Sequence, residues 1–67
     1  MAETMYMRYG RVIEACDVDA PDGLTGREVE TIRGNYERLG YAHWFSDYGR
    51  EYWRHPETGR HVSFYEW

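Results

Sequence analysis

Sixty-seven residues with eight basic and twelve acidic side chains carry a net charge of −4. A chain this short buries only about 60% of the surface it exposes when unfolded, which excludes a multi-domain enzyme and demands a source of extra stability. Cys16 is the only cysteine, which excludes an internal disulfide, and nothing approaches the roughly 20 apolar residues of a membrane span.

The expectation is therefore one domain over residues 1–67, without a cofactor. One unpaired thiol fits a reducing compartment. The first twenty residues hold four acids and no apolar run of signal-peptide length, so the expected location is the cytoplasm. Every basic residue is arginine, lysine and glutamine are absent, and Asn35 is the only asparagine. We read this as the codon bias of a GC-rich genome. Six acids against Arg27 over residues 14–30 make an acidic stretch. Such a stretch repels phosphate backbones and favours basic partners, or it is simply a solvated loop.

In chain order, Met5, Met7, Tyr9 and Ile13 alternate with Tyr6, Arg8 and Val12, which predicts a strand over 5–15 with Gly10 as a bulge. Residues 16–24 read as a loop, turned by Pro21-Asp22-Gly23. Thr25-Gly26-Arg27-Glu28 fits a capping box, and Leu24 with Val29 makes a hydrophobic staple across it. Val29, Ile32, Tyr36 and Leu39 then recur on one helical stripe, ended by Gly40. The predicted helix spans 26–39, with Gly34 marking close contact with a sheet.

Nine of the twelve aromatic residues lie from Tyr41 onward. That density predicts packed strands near 41–46, 50–55 and 60–66. The turns are Ser46-Asp47-Tyr48-Gly49 and Pro56-Glu57-Thr58-Gly59, the latter a type I turn with a left-handed glycine. The predicted register sets His55 opposite His61, Arg54 opposite Val62, Trp53 opposite Ser63, Tyr52 opposite Phe64 and Arg50 opposite Glu66. Tyr52, Val62 and Phe64 then share one face, and Trp53, Tyr65 and Trp67 the other. One helix covers one face only.

Four chemistries draw on residue types present here. Cross-strand His55 and His61, with His43, Glu57 or Cys16, present zinc-ligand types, against hairpin-end histidines that are simply solvated. Asp17, Asp19 and Glu28 fall at positions 1, 3 and 12 of a calcium loop, but Pro21 stands at position 5 and the glycine comes one place late. Ser46 and Ser63 are the only serines, and neither sits in a strand–turn–helix elbow; Cys16 with a histidine has no local signature around it. Arg50, Arg54 and Arg60 among aromatic rings have the composition of single-strand-binding sheets, opposed by the negative net charge and by the absence of a basic cluster.

The helix through Gly40, then Gly49-Arg50-Glu51-Tyr52-Trp53-Arg54-His55-Pro56 and Gly59-Arg60-His61-Val62, resembles the HicA-type toxins over roughly residues 26–64. Those are small ribonucleases with a double-stranded-RNA-binding-like fold. The resemblance implies a helix packed on a three-stranded sheet. It does not extend to activity: Glu51 stands where that family carries its catalytic histidine, and the family continues into another helix where this chain ends.

The sequence thus predicts an α+β fold in β-α-β-β-β order, with an antiparallel three-stranded meander covered on one side. The expected function is a non-enzymatic protein-binding inhibitor or adaptor of the kind phages and mobile elements encode. Its expected partner-binding residues are Trp44, Trp53, Arg54, Tyr65 and Trp67, because aromatics and arginine dominate interface hot spots. An RNA-binding or degenerate nuclease module and a structural homo-oligomer stand as the alternatives.

Overall fold

The computed structural model describes residues 14–20 and 22–66. The strand predicted over 5–15 lies outside the described residues apart from its last two positions. Helix α1 spans Gly26–Arg38 and is followed by β1 (Ala42–Asp47), β2 (Arg50–Arg54) and β3 (His61–Tyr65). The strands form one antiparallel sheet in the order β1-β2-β3. The architecture is α+β, a helix on a three-stranded meander.

The helix begins where its cap chemistry dictates. The Glu28 amide donates to the Thr25 hydroxyl at 3.2 Å, and the Thr25 amide donates to the Glu28 carboxylate at 2.9 Å. Two amides that the first turn leaves without helical partners are thereby satisfied. Val29, Ile32 and Tyr36 form its buried stripe. At the other end Gly40 adopts φ +92°, and the Tyr41 amide returns to the Tyr36 carbonyl at 2.9 Å. Gly34 does not meet the sheet, because a side chain there would touch only the Arg38 guanidinium.

Tyr36 sits at the centre of the core, fully buried, with its ring 5.7 Å from Trp53, 6.0 Å from Tyr41 and 6.1 Å from Phe64. Its hydroxyl donates to the Cys16 carbonyl at 2.7 Å, which ties the segment before the helix to the core. Burial pushes its pKa up. That same segment runs beside β3: Val18 bridges Phe64 in parallel, and its amide donates to the Ser63 carbonyl at 3.0 Å.

Strands β1 and β2 join through Tyr48 and Gly49, both at positive φ (49° and 82°). This is the primed turn that matches strand twist, with tyrosine standing where asparagine or glycine is usual. The β2–β3 turn overturns the predicted register. Arg54 pairs with His61, Trp53 with Val62, Tyr52 with Ser63, Glu51 with Phe64 and Arg50 with Tyr65. Each pairing lies one residue from the expected one.

The loop chemistry explains the slip. The Gly59 amide donates to the His55 carbonyl at 2.9 Å, and the His55 amide to the Arg60 carbonyl at 2.7 Å. His55 Nδ1 also accepts from the Glu57 and Thr58 amides at 3.2 and 3.3 Å. The loop therefore closes over four residues and pairs His55 with Arg60, not His61. A one-residue slip exchanges the two faces of a strand. Trp53 consequently points into the core at 5% exposure, and Tyr52 takes the outer side.

Gly40 lies against this turn, where an added Cβ would stand 2.9 Å from His55 Nε2. Gly40→Ala combines a left-handed backbone with that clash and is expected to cost about 1–3 kcal/mol, measured by chemical denaturation. A cost near zero would show that the glycine conformation is not required.

Candidate functional site: an aromatic and arginine sheet face

The register divides the sheet into two unlike sides. Glu51, Trp53, Val62 and Phe64 face the helix. Among them the Glu51 carboxylate is 3% exposed, an unusual place for a charge. It is held by Arg33 of the helix, whose Nε lies 3.2 and 3.1 Å from its two oxygens and whose Nη2 also bonds it. Trp53 Nε1 donates to the same carboxylate at 3.1 Å. Arg33 further bonds Glu66 at 2.6 Å and Glu30 at 3.1 Å.

Burial alone would raise the Glu51 pKa, but the bonds from Arg33, Glu66 and Trp53 outweigh it and hold the group at about 2, below its ordinary 4.5. Glu66 is shifted up, chiefly through its contact with Glu51. The expected Arg50–Glu66 pair is absent: β3 places Tyr65 opposite Arg50, and Glu66 turns to Arg33. Glu51 is thereby locked under the helix.

The opposite side carries Trp44, Phe45, Tyr52, Arg50, Arg54 and Tyr65. A β-bulge between His43 and Phe45 makes Trp44 the extra residue of β1. Trp44 thereby joins Phe45 on one side in place of alternating with it. The rings are continuous: Tyr52 stacks on Phe45 at 4.4 Å and 15°, Phe45 meets Trp44 edge-on at 5.0 Å, and Trp44 lies 6.0 Å from His61. Each arginine covers a ring, Arg54 over Trp44 at 5.4 Å and Arg50 over Tyr65 at 4.0 Å. Arg50 donates to the Ser63 hydroxyl at 2.7 Å. Among the described residues, neither Arg50 nor Arg54 has a carboxylate partner. Trp44 is 49% exposed, Phe45 41% and Tyr65 43%.

Of the five residues expected to bind a partner, Trp44, Arg54 and Tyr65 share this side, with no described helix packed over it. Trp53 does not, because the register turns it inward under α1. Trp67 lies outside the described residues. Phe45 and Tyr52 belong to the surface but escaped the sequence reading. A bulge in β1 and a shorter register would have revealed them, and neither leaves a mark in the residue pattern.

The histidines do not converge. His43 Nε2 lies 3.0 Å from the Ser46 hydroxyl, His55 accepts turn amides, and His61 stands beside Trp44. His55 and His61 are not paired across the hairpin. Asp17 accepts the Ser63 amide at 2.8 Å, and Glu28 serves the helix cap. Among the described residues no three metal-ligating side chains gather around one point. The His43–Ser46 contact sits on an exposed strand, and among the described residues nothing orients the other ring nitrogen. Among the described residues no helix is long and apolar enough to cross a membrane.

Replacing Arg33 by methionine leaves Glu51 buried without its partner, which is expected to cost about 3 kcal/mol or more at neutral pH. The pH dependence should distinguish the two proteins. With Glu51 held near 2 in the fold against an ordinary 4.5, the wild type has this stabilisation in full above pH 4.5 and loses it as pH falls toward 2. Glu66 works in the opposite sense but is one-third exposed and weighs less. In Arg33→Met, burial dominates and raises the Glu51 pKa, so the gap between variant and wild type should narrow as pH falls. Parallel denaturation curves from pH 7 to pH 3 would contradict this assignment. A comparison of the chain with family models, curated proteins and solved structures finds no match.

Proposed function

We propose that this chain is a small non-enzymatic protein-binding module, an inhibitor or adaptor that docks through the uncovered side of its sheet. The observation that supports this reading is the unbroken run of rings from Tyr52 through Phe45 to Trp44, capped by Arg54 and left open to solvent. Aromatic side chains offer large contact area, and arginine adds directional donors, which is why both concentrate at interface hot spots. On their other side the same strands bury Trp53 and Phe64 against the helix. A phage or mobile-element origin accords with the size of the chain.

The nucleic-acid reading draws on the same rings and arginines. It is weakened by a net charge of −4 and by the acidic residues 14–30 that precede the helix.

The test compares wild type with a Trp44→Ala/Phe45→Ala variant. Both side chains are exposed and outside the core, so melting temperature should change little. Wild type immobilised on resin should retain a protein from the source-cell lysate, and the variant should retain about tenfold less or none. Equal retention by the two would overturn the proposed surface. Loss of a wild-type dimer in the variant, seen by sedimentation, would assign the face to self-association.

A further inference from the structure

Three carboxylates converge on one guanidinium. Arg33 of α1 bonds Glu30 of its own helix, Glu51 of β2 and Glu66 just past β3. One cation thus faces three anions, and among the described residues no second basic side chain pairs with any of them.

The donors are unevenly shared. Glu51 receives Arg33 Nε, Arg33 Nη2 and Trp53 Nε1, whereas the Glu66 carboxylate receives Arg33 Nη2 alone, at 2.6 Å. Glu30 stands apart: it takes Nη1 at 3.1 Å and its side chain is 75% exposed, so water screens it. Glu51 and Glu66 accept from the same nitrogen, which brings their oxygens into contact with each other. Two carboxylates in contact do not both ionise freely, because one guanidinium neutralises one of them and like charge opposes the other. A proton between them turns that repulsion into an O–H···O⁻ hydrogen bond, one of the stronger kinds. Its place is on Glu66, since the donors crowded on Glu51 favour the charged form there.

We propose that Glu51 and Glu66 hold one proton between them, and that its uptake closes a clasp joining the end of β3 to β2 and the helix. The charged groups facing the pair are Arg33 and Glu30 of α1. On the β1 side Ser46 stands opposite Glu51, and the His43 ring meets Trp53 edge-on. On the β3 side Phe64 is the cross-strand neighbour of Glu51. The two carboxyls are accordingly driven apart, Glu51 below the ordinary 4.5 and Glu66 above it. A group that holds its proton more tightly in the fold adds stability below its unfolded value, and that stability is lost as pH rises through the folded value. The clasp is therefore closed in acid and opens toward neutral pH. The strand end that it fastens carries Tyr65, one border of the ring face.

Carboxyl ¹³C NMR of the full chain across a pH titration reads the pair directly. It should titrate in two steps, the lower carried by Glu51 and the upper, above 4.5, by Glu66. Glu51→Gln should bring the Glu66 step below 4.5, because Arg33 then faces Glu66 without the competing charge. Glu30→Gln should leave the step above 4.5. Glu66→Gln should melt at a higher temperature than wild type at neutral pH, and the difference should vanish as pH falls to 4.5. A wild-type Glu66 step at or below 4.5, or a Glu66→Gln variant that melts lower at neutral pH, would show an ordinary ion pair with Arg33 and overturn the inference. A Glu66 step that stays in place in Glu51→Gln, or that is lost in Glu30→Gln, would overturn it as well.

Discussion

The pairing of His55 with Arg60 decides what this protein is inside and outside. The turn that enforces it is built around one residue: His55 Nδ1 takes the Glu57 and Thr58 amides while the His55 carbonyl takes the Gly59 amide. Four residues are thereby consumed in the loop. Moving that closure by a single residue would send Trp53 to solvent, bring Tyr52 and Arg54 under the helix, and leave buried arginine with no acceptor. The cost of such an arrangement, several kcal/mol for each uncompensated charge, is what makes the register unique.

Under the helix the register has a second consequence. It places Glu51 beside Trp53 on the covered side, where a carboxylate is costly unless paired. Arg33 supplies the pairing across the helix–sheet boundary and reaches Glu66 as well. Buried ion pairs contribute little net stability compared with apolar residues of the same size, but breaking one is costly. In a domain with so small a core, the network joins the helix to both β2 and the end of β3. On the outer side, the same alternation lines up Arg50, Tyr52 and Arg54 and turns Tyr65 toward solvent.

The helix was legible because its signals are local. Thr25 and Glu28 are three residues apart, and the stripe from Val29 to Tyr36 repeats within one element. The existence of three strands was legible from the aromatic density and two turn sequences. Register was not, because it depends on a side chain accepting turn amides, and no residue pattern announces whether His55 will do so. Arg33 and Glu51 are eighteen positions apart with no periodicity linking them. The bulge at Trp44 is equally silent in sequence, although it determines that Trp44 and Phe45 lie together. The expectation of one uncovered aromatic face carried through to Trp44 and Tyr65, but Trp53 was assigned to the wrong side by the one-residue error.

The central claim is that the tryptophans of β1 and β2 are segregated, one to each side of the sheet. Indole N–H hydrogen exchange followed by NMR tests it directly. The Trp53 indole, bonded to Glu51 and covered by the helix, should exchange only through opening of the fold, whereas the Trp44 indole should exchange at the rate of an exposed side chain. Rapid exchange at Trp53, or protection at Trp44 in the isolated monomer, would contradict the account.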